Sequence, residues 1–173
     1  MEFIFETTYD KEALTVMARA LRKTVRKKKS RRSHIFGWIV AALGVFLAIY
    51  THSEISIGMS NFITWFAVAV LIFVLLLEDH INGHYAQKRM LPGTEKAAAV
   101  FTEDGYITTT EAGKTEWSYE RIGWLAETDD YFVFVFNVSH AQIYDKRNLT
   151  GGTADEFRSF IESVTGKTAQ RIK

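Results

Sequence analysis

Two histidines one helical turn apart, His80 and His84, follow directly on the acidic pair Glu78-Asp79. Residues four apart on a helix share a face, so two imidazoles with Asp79 in reach form the start of a divalent-metal site. The residues between them, Ile81-Asn82-Gly83, lack the glutamate that a helical zinc-hydrolase motif uses as its base. Polar side chains of this kind also mark the wetted end of an apolar helix, and that plainer reading is preferred. His80, His84 and Asp79 are therefore the weak metal candidates; no cofactor is expected.

Lys146-Arg147 is a second candidate. It stands between a strand-like segment and the last helical pattern, where paired cations can receive a phosphate or a lipid headgroup. Asp145 adjoins it, and residues 95–162 hold thirteen acidic against six basic side chains, a field that repels anions. A possible anion contact at Lys146 and Arg147 thus competes with a local ion pair. Glu116, Glu120, Glu127 and Asp129-Asp130 supply carboxylates, but acid–base catalysis needs two held at a fixed separation in a cleft, and no spacing here implies that. Ser118, Ser139 and His140 form no nucleophile motif, and Gly151-Gly152 reads as a turn rather than a phosphate loop. Trp117 and Trp124 read as core or groove-lining residues. The chain has no cysteine, which excludes disulfides and thiolate metal sites.

The elements that must carry these residues begin with two apolar runs. Residues 35–51 and 61–77 each extend for 17 residues without a charge. At about 1.5 Å per residue each covers roughly 25 Å, which interfacial residues extend across a bilayer core of about 30 Å. Trp38, Tyr50 and Trp65 fall near the predicted ends, where amphipathic rings prefer to lie. Neither run has the polar stripe of a buried helix in a soluble bundle. A signal peptide fits less well, because an amphipathic segment precedes the first run and no small-residue cleavage site follows Tyr50. Gly37, Ala41, Gly44 and Ala48 share one face of the first run, which permits close approach of another helix, within the chain or in a second copy.

Orientation follows from the flanks. Residues 19–32 contain nine basic side chains and no acidic one; Arg22, Lys23, Arg26, Lys27, Lys28, Lys29, Arg31 and Arg32 lie nearest the first run. The loop HSEISIGMSN has no lysine or arginine, and Lys88-Arg89 follow the second run. Short basic flanks stay in the cytoplasm, so both termini are expected there and the loop outside. The basic run could neutralise nucleic-acid phosphates, but beside a span it reads better as a topology signal against anionic headgroups. Before it, Phe3 to Phe5 suggests a short strand. A helix capped by Asp10 or Thr8 follows, with Leu14, Met17, Ala18 and Leu21 on one face, and is expected along the membrane interface.

Beyond Pro92-Gly93 the pattern becomes β. AAAVFT, YITTT, TEWSY, RIGWLAET, YFVFVFNV and AQIYDK are six short strand candidates separated by turn sequences. In the fifth, Phe132, Phe134 and Phe136 share one face and Val133 and Val135 the other, which predicts a central strand covered on both sides. TADEFRSFIESVTG then shows helical spacing, with Thr153 and Glu156 as a capping box and Gly166 as a stop.

VFTEDGYITTT, EWSYERIGWLAETDDYFVFVF, IYDKRNL and DEFRSFIE, preceded by two apolar runs, resemble the YcxB-like family of bacterial membrane proteins. The resemblance implies two spans followed by a cytoplasmic domain of pleckstrin-homology type, and brings no catalytic residue.

These readings combine into an α+β membrane protein. A two-helix transmembrane hairpin is followed by an antiparallel β-sheet or open barrel capped by a C-terminal helix. The boundaries are an N-terminal strand and basic helix over 1–34, the hairpin over 35–78, a helical exit over 79–94 and the β-rich domain over 95–173. The expected role is a non-enzymatic, protein-binding or regulatory module of the bacterial inner membrane. Its expected contacts are membrane lipids and a protein partner or second copy, with no nucleic acid. A tethered metal enzyme using His80 and His84, or a subunit of a pore or transport oligomer, is the alternative.

Overall fold

The computed structural model describes residues 2–52 and 59–172; most of the loop between the apolar runs, residues 53–58, lies outside the described residues. Strand β1 (Phe3–Thr8) and helix α1 (Lys11–Lys23) precede two long helices, α2 (Lys27–His52) and α3 (Met59–Lys88). Seven further strands follow before the last helix: β2 (Lys96–Phe101), β3 (Tyr106–Thr110), β4 (Gly113–Trp117), β5 (Trp124–Glu127), β6 (Tyr131–Val135), β7 (Ala141–Asp145) and β8 (Leu149–Thr150). Helix α4 (Ala154–Thr165) and β9 (Gln170–Arg171) complete the chain. The six expected strands all form, and α4 has the expected capping box, with Gly166 ending it at φ 63°.

The strands make two sheets, ordered β4-β3-β2-β1-β8 and β7-β6-β5-β9. The sequence boundaries assign the N-terminal strand to a segment of its own; in the structure it is an inner strand of the five-stranded sheet. β1 pairs antiparallel with β2 along its length, Phe3 against Phe101 through Thr8 against Lys96, and with β8 on its other side. Its alternation explains this: Phe3, Phe5 and Thr7 point inward and are buried, and an apolar face of this kind must find a sheet to complete. Gly151 permits the β8 pairing, because it has φ 87° and a side chain there would strike the Glu2 carbonyl. The Tyr9 N–H donates to the Glu95 carbonyl at 2.8 Å, so the helical segment leaves and rejoins the sheet at adjacent points.

β6 is buried at every position, and its two faces enter two cores. Phe132 and Phe134 join Phe3, Phe5, Phe101, Tyr106, Tyr144, Phe157 and Ile161 beneath α4. Phe157 lies 4.6 Å from Phe5 and 5.0 Å from Phe132 between ring centroids, in the edge-to-face arrangement that aromatic quadrupoles favour. Tyr131, Val133 and Val135 pack instead with Ile143, Ile172 and the apolar face of α1, namely Ala13, Val16, Ala20 and Leu21. The expected double cover is present, and its second layer is α1. The apolar face of α1 was expected at a membrane interface; it is used instead to close the β-domain. Asp10 caps this helix, its carboxylate accepting from the Ala13 N–H at 2.8 Å.

α3 is joined to α1 at one end and to α2 along its length. At the crossing with α1, a side chain on Gly83 would lie 2.8 Å from the Thr15 backbone nitrogen, so glycine allows the two backbones to approach. The small-residue face of α2 lies in the α2–α3 seam. Gly37 faces Leu75 and Gly44 faces Val68, while Ala41 and Ala48 are almost fully buried. Over the two charge-free runs, the remaining surfaces of the helices are apolar and exposed. Among the described residues, nineteen of the twenty-two exposed large hydrophobic side chains lie on the two helices, with Phe36, Phe46, Phe62 and Leu76 each more than three-fifths exposed.

Candidate functional site

The helix exit that carried the metal candidates is a junction of ion pairs. Asp79, nearly buried, accepts from Arg22 of α1 in a two-pronged bond, Nε to Oδ1 at 2.7 Å and Nη2 to Oδ2 at 2.6 Å. Arg19, one turn earlier, stands 3.6 Å away. The planar fork of arginine matches a carboxylate, which is the geometry a desolvated pair needs. Glu78, the preceding residue, pairs with His34 of α2 at 2.5 Å. Glu78 and Asp79 thus bind α2 and α1 respectively to α3, and both Asp79 oxygens are occupied. His80 is exposed and lines an open groove with Arg19 and Asp130; His84 is exposed next to Tyr85. Among the described residues, no group of three or more His, Asp or Glu side chains is placed to hold a metal ion.

Sequence reasoning assigned Arg22 to the basic collar and missed its partner. The available signal was an acidic pair directly after a charge-free run, which demands cations from elsewhere in the fold. Arg26 is likewise used internally, its Nε donating to the Val138 carbonyl at 2.7 Å. Lys27, Lys28, Lys29, Arg31 and Arg32 are exposed on the first turns of α2.

Lys146 and Arg147 are also held within the domain. Lys146 donates to a Glu127 carboxylate oxygen and to the Thr128 carbonyl at 2.6 Å, with its ammonium 4.5 Å from the centre of the Phe132 ring. Arg158 of α4 grips the same Glu127 through two bonds, at 2.6 and 2.5 Å. Arg147 forms a fork on Asp145 at 2.9 and 2.7 Å and donates to the Tyr131 hydroxyl at 2.8 Å. These bonds neutralise both cations of the pair, and Lys146 is nearly buried, so the cluster fastens β5, β7 and α4 together.

A hollow of about 390 Å³ separates β3, β4 and β7 from α1 and α3. Leu14, Met17 and Met90 line one wall and Trp117, His140 and Gln142 the other; none of its lining residues is formally charged at neutral pH. His140 stacks on Trp117 with 5.5 Å between ring centres, and burial holds its imidazole pKa below the usual value, which favours the neutral form. The indole Nε1–H of Trp117 is buried with no hydrogen-bond acceptor among the described residues. Chemically, such a wall suits a neutral group with an acceptor atom and disfavours an ion.

Residues 101–161, from the end of β2 into α4, match the family model described as YcxB-like protein. The match covers β3 to β7 and the Glu127–Lys146–Arg158 cluster, and its description names no activity. No curated protein matches the chain.

Proposed function

We propose that this protein is a membrane-anchored interaction module of the bacterial inner membrane. In this reading α2 and α3 cross the bilayer as a hairpin. The β-domain, of pleckstrin-homology-like build, lies on the cytoplasmic side and binds a protein partner without catalysing a reaction. The observation that carries the reading is the bare apolar surface of α2 and α3. A soluble monomer rarely exposes a contiguous apolar patch beyond a few hundred Å², and hydrocarbon is the solvent that removes the cost. The pairing of β1, ahead of the hairpin, with β2, behind it, supports the same topology, because both ends of a hairpin then lie on one side. The basic flanks choose the cytoplasmic side.

The partner surface in this reading is β4, at an end of the five-stranded sheet. Its residues 113–116 are exposed, and an edge strand offers unpaired backbone groups to a strand from another chain. Glu103, Asp104, Glu111, Glu116 and Glu120 lie on or beside this hairpin, so the fitting partner is an extended segment of basic character.

Fusions test the topology: a fluorescent protein at the C-terminus is expected to fluoresce, whereas alkaline phosphatase activity there overturns the assignment. Affinity purification from native membranes tests the module. It should recover a partner that Glu116→Lys plus Glu120→Lys releases while the domain stays folded; retention in that variant removes β4 as the contact.

A further inference from the structure

The first turn of α2 contradicts a general preference. Lys27, Lys28 and Lys29 open this 26-residue helix, and its first turn holds no acidic residue. A helix N-terminus carries about half a positive charge and favours anions. Such a conflict without an internal remedy is characteristic of functional positions.

A cavity lies at the same place. The end of α1, the start of α2 and β9 surround a hollow of about 690 Å³ whose walls include Lys23, Lys27, Arg31, His34, Gln170 and Arg171, and among the described residues no carboxylate lines it. His34 is engaged by Glu78 and Arg171 by Asp129. Among the described residues, no ion pair engages Lys27 or Arg31, which stand one turn apart on one face. Lys23 is held below the usual lysine range, first by burial and then by Arg22 and Arg19. Lys27 and Arg31, with no carboxylate paired to them among the described residues, give the hollow its positive potential although Asp79 is close.

Position along α2 identifies the anion. The charge-free run starts at Ile35, eight residues beyond Lys27, or about 12 Å of helix rise. On the membrane-anchored reading, on which this inference rests, that depth is the headgroup layer outside the hydrocarbon core. We propose that the hollow binds the phosphate of an anionic phospholipid. Arg31 offers the planar fork that matches phosphate oxygens, Lys27 acts as a point charge, and β9 closes the opposite side. Since α1 and β9 belong to the β-domain and α2 to the hairpin, the bound lipid fixes the domain against the bilayer surface.

The test reconstitutes the full chain in nanodiscs of mixed phosphatidylcholine and phosphatidylglycerol, then identifies retained lipids by native mass spectrometry. Phosphatidylglycerol should be enriched over its bulk share. Lys27→Gln plus Arg31→Gln should lower that enrichment about twenty-five-fold, since each basic residue at the surface is worth about a factor of five. Lys28→Gln plus Arg32→Gln removes equal charge from a pair outside the hollow and should lower the enrichment far less. Equal losses in both variants, or no enrichment in the parent chain, overturn the site. In discs of phosphatidylcholine alone, inorganic phosphate should not raise the melting temperature. If it does so for the parent chain but not for the Lys27, Arg31 variant, the site takes soluble phosphate and the lipid assignment falls. Carbonate washing of native membranes separates the two levels: a chain that is stripped off defeats the membrane reading itself. A resistant chain without lipid preference defeats only this inference.

Discussion

At the scale of single residues, Glu127 has the most to lose. It is 6% exposed and bridges two cations from elements distant in sequence. Burial alone would raise its carboxyl pKa, but the bonds from Arg158 and Lys146 outweigh burial and hold it below the ordinary 4.5. A carboxylate whose folded value is depressed stabilises the fold above its unfolded value, and that contribution disappears as pH falls through the folded value. Urea unfolding followed by tryptophan fluorescence should therefore show stability declining below about pH 4.5, with Asp145, held low by Arg147 in the same way, adding to the decline. Glu127→Gln should flatten the Glu127 part of that slope. At neutral pH it should cost about 3 kcal/mol, because Lys146 and Arg158 keep their charges without a counter-charge. The cation pair at 146–147 and its neighbour Asp145 were legible in the sequence; the carboxylate that holds Lys146 was not. Glu127 is nineteen residues away in the chain from Lys146 and thirty-one from Arg158, and only the sheet brings them together.

Among elements, the crossing of α1 over α3 sets two magnitudes against each other. Gly83→Ala improves helix propensity in α3 by about 1 kcal/mol. The new methyl, however, would meet the Thr15 hydroxyl, amide nitrogen and Cα at 2.6, 2.8 and 2.9 Å, and backbone cannot rotate away as a side chain can. Overpacking of this kind costs about 1–3 kcal/mol, so the net effect should be a lower melting temperature despite the better helix former. Gly37→Ala meets the side chain of Leu75 and no backbone atom among its nearest neighbours; that side chain can change rotamer, so the effect should be much milder. Thermal unfolding in one detergent, with both variants side by side, checks the contrast; a Gly83→Ala protein as stable as the parent refutes it. The apolar face of α1 was legible from its periodicity, but not which surface it covers, because a membrane interface and the valine face of β6 ask for the same residues.

For the whole molecule, the helices are an insertion between β1 and β2, and the β-domain needs what precedes them. A fragment of residues 95–173 lacks β1 and α1 and exposes Phe101, Phe132, Val133, Val135 and Phe157, all buried in the full chain. It should show poor amide dispersion in NMR spectra and bind hydrophobic dyes. A variant joining residues 1–24 to 94–173 through a flexible linker, with both long helices removed, should restore dispersed spectra. A well-folded 95–173 fragment would show that β1 is dispensable. What the sequence determined by itself was local. It specified two charge-free helices, the alternation of six strands, the cap at Thr153, the stop at Gly166 and the sign of charge on each flank. All of these follow from periodicity, turn chemistry and composition within about ten to twenty residues. Only the tertiary structure decided that β1 completes a sheet begun ninety residues later. It also decided that α1 covers the second face of β6, that Arg22 pairs with Asp79 and that Lys146 pairs with Glu127. Pairing partners and counter-charges are chosen by proximity in space, and a periodic pattern states what face an element must bury without stating against what.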